Sequence, residues 1–216
     1  MTLDTAPAPR LELNGPVPDF ETNTTHGPIR LSTWNADKWV ILFSHPADFT
    51  PVCSTEFVEF ARMWEEFDKR GVALLGNSID SVYSHIAWVR SMEQHFGVSI
   101  KFPIIADLDQ KVARLYNMVH EASSATAAVR CVFFIDPKRT LRAMIYYPLN
   151  LGRNFDEILR VIDGLQTADQ HGVACPANWR PGDKVIVPPP TTTAAAAARM
   201  ESGYEVTDWY FSRKSL

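Results

Sequence analysis

The chain has 216 residues, 46% of them hydrophobic and 21% charged, with a formal net charge of −4 at pH 7. At that length roughly 70% of the extended-chain surface is buried on folding, enough for a core without disulfides or a structural metal. The balance excludes a disordered or fibrous chain, the slight acidity argues against a phosphate-neutralising surface, and no apolar run approaches the roughly 20 residues that span a bilayer. The start, MTLDTAPAPRLELNG, lacks the charged-then-apolar layout of a secretory signal, so a soluble, cytoplasmic protein is expected. Cys53, Cys131 and Cys175 are too few for a disulfide scaffold and form no CxxC pair. In a reducing compartment any disulfide among them is expected to be transient and catalytic.

In chain order, the opening is proline-rich and polar as far as Asp19. Lys38-Trp-Val-Ile-Leu-Phe-Ser44 is a continuous apolar run, predicted as a strand buried in a parallel or mixed sheet. The segment HPADFTPV, 45–52, is turn-like, punctuated by Pro46 and Pro51. A helix is predicted over 53–70, where Phe57, Phe60, Ala61, Trp64 and Phe67 recur at helical spacing. Glu65 with Lys69 and Glu66 with Arg70 are expected i,i+4 pairs, and Gly71 is the expected C-terminal glycine. A strand over 72–79, a helix over 81–96, a short strand over 102–106 and a short helix over 110–116 follow. A strand over 131–136 and its hairpin partner over 141–147 precede a helix over 154–170, with Phe155, Ile158, Leu159, Ile162 and Leu165 inward. Strands alternating with helices predict a layered α/β domain over 1–170 with helices on both faces of the sheet.

Beyond His171 the composition changes. Pro176 to Gly182 reads as a loop and Pro188-Pro-Pro190 as a stiff extended piece. Five alanines between Thr193 and Arg199 suggest a short helix, and residues 205–213 a strand. This C-terminal extension arm, 171–216, lacks apolar residues for a core of its own, so it is expected to pack on the main domain or on a second copy, as a dimerisation arm.

Cys53 falls at or just inside a predicted helix start. Such a position presents unpaired N–H groups and the positive end of the helix dipole, and both favour a thiolate, the nucleophilic form. Thr50 lies three residues earlier, within reach of the sulfur, and the two prolines restrict the loop between. On these local features alone, a nucleophile and an inert buried cysteine stand level.

The motif Pro46-x-x-x-Thr50-x-x-Cys53 resembles the PxxxTxxC signature of the peroxiredoxins, which have a thioredoxin-like fold. Further segments match in order: Ser78-Ile-Asp-Ser81, His85-Ile-Ala-Trp88, Phe102-Pro-Ile-Ile-Ala-Asp107 and Val129-Arg130-Cys-Val-Phe-Phe-Ile-Asp136. Tyr147-Pro148 and Gly152-Arg153-Asn-Phe-Asp-Glu-Ile-Leu159 resemble the one-cysteine subfamily in particular. The resemblance implies a thiol-dependent peroxidase for hydrogen peroxide and alkyl hydroperoxides, with Cys53 passing through a sulfenic acid. It implies Thr50 as a hydroxyl at the sulfur and substrate oxygen, Arg130 as the guanidinium beside the sulfur, and Pro46 as a cover over the pocket. Glu56 matches a position that orients arginine, Arg153 a second arginine near the site, and His45 a histidine near the sulfur that would favour thiolate when protonated. No histidine shows ligand spacing, and no metal or cofactor is expected.

Cys131 follows Arg130 on a strand, so the two side chains should point apart and Cys131 should be a small buried hydrophobe. Cys175 is the divided case. One-cysteine members read like ATPANW here, whereas Val173-Ala-Cys175-Pro-Ala-Asn-Trp179 resembles the segment that carries the resolving cysteine of two-cysteine members. The resemblance favours Cys175 of the partner subunit as the resolver of Cys53, in a homodimer or a ring of dimers, with thioredoxin or a similar dithiol as reductant. The alternatives are direct resolution by an external thiol, or a chaperone-like oligomer. The absent CxxC argues against a general dithiol oxidoreductase. Gly76-Asn-Ser78-Ile-Asp80 lacks the second glycine of GxSxG, so no lipid-directed serine chemistry is expected. Nucleic acid and membrane are not expected partners.

Overall fold

The computed structural model describes residues 11–34 and 37–216; the first ten residues of the MTLDTAPAPRLELNG start, read above for a secretory signal, lie outside them. Two compact units divide the chain, the first ending at Phe155 and the second running from Asp156 to Leu216. Most of the helix expected at 154–170 therefore groups with the second unit.

The first unit opens with a hairpin that the sequence did not announce, β1 (Glu21–Thr24) and β2 (Gly27–Arg30). Its turn is held locally: the Thr24 hydroxyl donates to the Gly27 carbonyl at 2.7 Å, and Gly27 takes φ +99° at no steric cost. A single turn, α1 (Leu31–Trp34), leads towards β3 (Trp39–Ser44). Then come α2 (Pro51–Arg62), α3 (Trp64–Lys69), β4 (Val72–Ser78), α4 (Val82–Phe96), β5 (Ile104–Ala106), α5 (Lys111–Leu115), β6 (Arg130–Ile135) and β7 (Leu141–Tyr147). The strands form one mixed sheet in the order β2-β1-β5-β4-β3-β6-β7. β3, β4 and β5 run parallel, and β6 pairs antiparallel to β3.

β3 and β6 are buried along their whole length, which is why both read as unbroken apolar runs. Val40 and Leu42 face a cluster with Cys131, Phe133, Val112 and Tyr116. Phe43 points the other way, as strand alternation requires, and stacks on Phe60 of α2 at 4.0 Å. Phe57 and Phe102 meet Phe43 edge-on. The apolar stripe predicted for the 53–70 helix is thus the face that packs on the sheet.

That helix is not continuous. It begins two residues earlier than expected, at Pro51, and breaks at Met63 (φ −92°, ψ 4°) into α2 and α3. Proline at the first position suits a helix start, because its missing N–H would be unpaired there anyway. Gly71 follows α3 with φ +64°, as expected. Arg70 pairs with Glu66 at 2.9 Å, but Lys69 takes Glu66 too, at 3.0 Å, rather than Glu65. The i,i+3 and i,i+4 positions share one helix face, so one carboxylate serves both cations.

The second unit contains most of α6 (Phe155–His171), then β8 (Val185–Val187), α7 (Thr193–Met200), β9 (Glu205–Asp208) and β10 (Phe211–Lys214). Its strands form an antiparallel sheet in the order β8-β10-β9. The single strand expected over 205–213 is therefore a hairpin turning at Trp209 and Tyr210. The expectation that this stretch has no core is corrected: Val173, Trp179 and Val185 are buried together, with Cys175 packed against them. Three well-placed side chains suffice for so short a segment, which average composition did not reveal.

Candidate active site

The loop joining β3 to α2 carries the motif residues. Thr50 is the N-cap of α2, so Cys53 is the third helical residue. The first N–H groups of a helix lack intrahelical acceptors, and the Thr50 side chain makes no capping bond to them. The Cys53 main-chain N–H is thus an available donor at a fully buried sulfur. The Thr50 hydroxyl donates to the Ala47 carbonyl at 3.0 Å, which leaves its lone pairs to accept. Pro46 is half-buried in the same loop.

Arg130, at the start of β6, reaches the sulfur. Its Nη1 lies 3.2 Å from Cys53 Sγ and donates to Glu56 Oε2 at 2.8 Å. Its Nε and Nη2 donate to the Leu149 carbonyl at 3.1 and 2.8 Å. A planar guanidinium pinned on two sides keeps one edge aimed at the sulfur, which a flexible ammonium could not do.

Glu56 sits one turn beyond Cys53 on α2, so both side chains lie on one face. It is 2% exposed, and its carboxylate serves two arginines. Arg153 Nη1 donates to Oε2 at 2.6 Å and the Arg153 main-chain N–H to Oε1 at 3.0 Å. Arg153 also donates to the carbonyls of Ser44 and, at 3.0 Å, Cys131. It is buried, not a solvated charge, and burial works to lower its pKa while Glu56 opposes that effect.

His45 departs from its expected role. The ring is fully buried against Phe57 and Trp88, with centroids at 4.7 and 5.0 Å. Its Nε2 bonds Asp48 Oδ1 at 2.8 Å, and its Nδ1 has no hydrogen-bond partner. Burial lowers its pKa below the ordinary imidazole value, outweighing the pull of Asp48, so the ring is neutral at pH 7. The protonated imidazole expected beside the thiolate is not what this setting favours. Asp48, which sequence reasoning passed over, and His85, named there only within a family-matching segment, complete the group: His85 Nδ1 lies 2.8 Å from Asp48 Oδ2. Donation by the two imidazoles holds the Asp48 carboxyl well below the usual carboxylate range, against the cost of burial. The one acidic residue in the 45–52 loop was the available signal. His45, Asp48 and His85 have ligand-type atoms within 4.8 Å of one another, but hydrogen bonds already link them.

Cys131 points away from Arg130, as expected. Its sulfur lies 2.8 Å from the Ser44 hydroxyl, and burial pushes its thiol up to about 12. Cys175, in the second unit, lies half-buried, its Sγ 3.5 Å from the Gly164 carbonyl. Burial raises its pKa, and Arg160 offsets part of that.

The AhpC/TSA family model matches residues 13–144, and the model for the C-terminal domain of 1-Cys peroxiredoxin matches residues 164–203. A peroxiredoxin of Aquifex aeolicus (strain VF5) is 52% identical over 214 residues, covering 94% of this chain and 96% of its own length. A peroxiredoxin of Thermoplasma volcanium is 57% identical over 171 residues, covering 79% of this chain and 83% of its own. Among solved structures, the yeast mitochondrial 1-Cys peroxiredoxin, studied for thiol resolving via glutathione/thioredoxin systems, superposes with a TM-score of 0.87. It is 41% identical, covering 96% of this chain and 100% of that one, and it shares the thioredoxin-like arrangement of a mixed sheet flanked by helices.

Proposed function

The chain belongs to the peroxiredoxin family, and from that premise we propose that Cys53 is the residue through which it reduces hydroperoxides. Peroxiredoxins are thiol-dependent peroxidases, and this enzyme is one. The carrying observation is the Arg130 guanidinium 3.2 Å from the Cys53 sulfur at the first turn of α2. In the proposed step the thiolate attacks one peroxide oxygen and the O–O bond breaks. The other oxygen leaves with a proton as water or an alcohol, and Cys53 becomes a sulfenic acid. Arg130 and the Cys53 N–H donate to charge on the reacting oxygens. The Thr50 hydroxyl, held by Ala47, accepts from the peroxide O–H. Pro46 covers the site, while Glu56 and Arg153 fix Arg130. Peroxide consumption with a thiol reductant tests the assignment: Cys53→Ser loses essentially all turnover, and retained turnover removes Cys53 from the centre of the mechanism.

Two routes return the sulfenic acid to thiol. In the first, Cys175 of the partner subunit attacks it, and a dithiol such as thioredoxin reduces the disulfide. The resemblance of the 173–179 segment to a resolving loop supports this route. So does β7, a seven-residue strand at the sheet edge where a second copy can add. In the second, an external thiol attacks Cys53 directly. The 1-Cys family match over 164–203 and the packed, weakly acidic Cys175 thiol support it. A non-reducing gel after one equivalent of peroxide separates them. A covalent dimer that Cys175→Ser abolishes supports the first route. A sulfenic acid trapped at Cys53 with no dimer supports the second. We place the enzyme in the cytoplasm as a homodimer; no helix among the described residues is long and apolar enough to cross a membrane.

A further inference from the structure

The loop between β3 and α2 holds a conformation that its own sequence disfavours. Phe49 takes φ +55°, in the left-handed region, where a bulky side chain is an outlier. Its ring is 59% exposed, so ring burial is not what holds it there. Such strain persists only where neighbouring groups over-determine the backbone. On one side Thr50 bonds back to Ala47. On the other is Asp48, buried and anchored through its main-chain N–H and its carboxylate. Its main-chain N–H donates to Asp80 Oδ2 at 3.0 Å, and its carboxylate meets His45 and His85.

His85 lies in the first turns of α4, fully buried. Its Nδ1 faces the Asp48 carboxylate at 2.8 and 3.0 Å, and its Nε2 faces the Ile105 carbonyl at 3.0 Å. A carbonyl and an ionised carboxylate can only accept. Both ring nitrogens must therefore donate, which makes the ring a cation paired with Asp48. His45 donates its one proton from Nε2 to the same carboxylate, leaving Nδ1 bare. The charged and titratable groups around this pair are His45 and Asp80.

We propose that Asp48, clasped by His85, is a positioning residue for the peroxidase reaction: it holds the Pro46–Thr50 loop in its strained form, and it sets the tautomer of His45. The proposal rests on Cys53 being the reacting thiol. Without the clasp, Phe49 relaxes, the Thr50 N-cap shifts, and the start of α2 no longer presents Cys53 to Arg130. Asp48→Asn keeps the shape but removes the charge, and whichever way its amide turns, the NH₂ faces a ring N–H, donor against donor. His85→Gln can still donate to Asp48, whereas His85→Leu cannot.

The test is single-turnover oxidation of the reduced protein by hydrogen peroxide, followed by intrinsic fluorescence, with Cys53→Ser as control. Misplacing a reacting group costs on the order of 10- to 100-fold in rate, and that loss is expected for Asp48→Asn and His85→Leu, with His85→Gln recovering most of it. In ¹⁵N spectra, His85 should show two protonated ring nitrogens and His45 a single Nε2–H, and Asp48→Asn should scramble the latter. If Asp48→Asn does not fold, the His85→Gln and His85→Leu pair carries the test alone. Oxidation within twofold of wild type in a folded Asp48→Asn or His85→Leu overturns the proposal. So does a glutamine variant no faster than leucine, or a singly protonated His85. A reactive Cys53→Ser would instead overturn the assignment of Cys53.

Discussion

Replacing Glu56 by glutamine keeps the side chain's shape and removes one charge from a site where the contacts are fully specified. The carboxylate accepts three hydrogen bonds, two at Oε2 from Arg130 and Arg153 and one at Oε1 from the Arg153 main chain. A glutamine has one oxygen. If it faces the two guanidinium groups, its NH₂ faces the Arg153 N–H, donor against donor; flipped, two donors are orphaned instead. Two buried cations also lose their shared counter-charge, and breaking a buried pair in this way costs about 3–5 kcal/mol. For a chain of this size that corresponds to a fall in Tm of about 6–20 °C. Urea and thermal denaturation of the reduced protein measure it. Catalysis feels two opposed effects. Removing a negative charge leaves the surroundings of the sulfur more positive, which supports a thiolate, but Arg130 loses the anchor that aims it. Orientation dominates because both remaining Arg130 anchors are a single carbonyl, that of Leu149. The rate of Cys53 oxidation should therefore fall together with stability. A variant within about 1 kcal/mol of wild type, or one reacting as fast, would refute this account of Glu56.

Two further outcomes follow from buried groups outside the reaction itself. Cys131, with its thiol pushed up to about 12 and no exposed surface, should resist iodoacetamide at pH 8 in the folded protein while Cys175 is labelled. Equal labelling rates would show that Cys131 is accessible. Acidification through about pH 6.5 should withdraw the part of the stability that rests on neutral His45. Burial depresses the folded-state pKa of His45, so the unfolded chain takes up that proton first as the pH falls. Asp48, also depressed, adds its share below about pH 4, where the unfolded carboxyl protonates first. Each group contributes at most about 1.4 kcal/mol per pH unit. The difference in denaturation midpoint between wild type and His45→Asn, followed from pH 7 to 5, isolates this share from that of the His85–Asp48 pair, and a difference that does not change with pH would contradict it.

What the sequence made legible follows the range of the interactions concerned. β3, α4 and the β6–β7 hairpin have strong periodicity and local stop signals, and their bounds agree with expectation to within a residue or two. The β1–β2 hairpin escaped notice because its short, half-exposed strands have no apolar pattern, and only pairing with β5 completes them. At the site, Thr50 and Cys53 are neighbours on the chain, so one motif contains both. Arg130 and Glu56 are 74 positions apart and could be joined only through resemblance to a family. Asp48 lacked even that guide, and the resemblance marked His85 only as part of a matching segment, with no role.

Their meeting depends on the parallel register, in which Ser44 pairs with Asn77 and Ser78 with Ala106. That register sets the carboxyl ends of β3, β4 and β5 side by side. The loop after β3 supplies Asp48, the turn after β4 supplies Asp80 and leads into His85, and β5 supplies the Ile105 carbonyl. Three segments that are each unremarkable alone become one buried network because the sheet ends coincide. The same coincidence puts the first turn of α2 beside that network. The strained loop can therefore be held from the sheet side by Asp48 while Arg130 approaches the sulfur from the start of β6. Support for the loop and charge for the sulfur come from different strands but converge on one contact, that of Arg130 with Cys53. Each of Glu56→Gln and His85→Leu spoils that contact, so combining them should lose less rate than the sum of the two single losses, and full additivity would show that they act on different contacts.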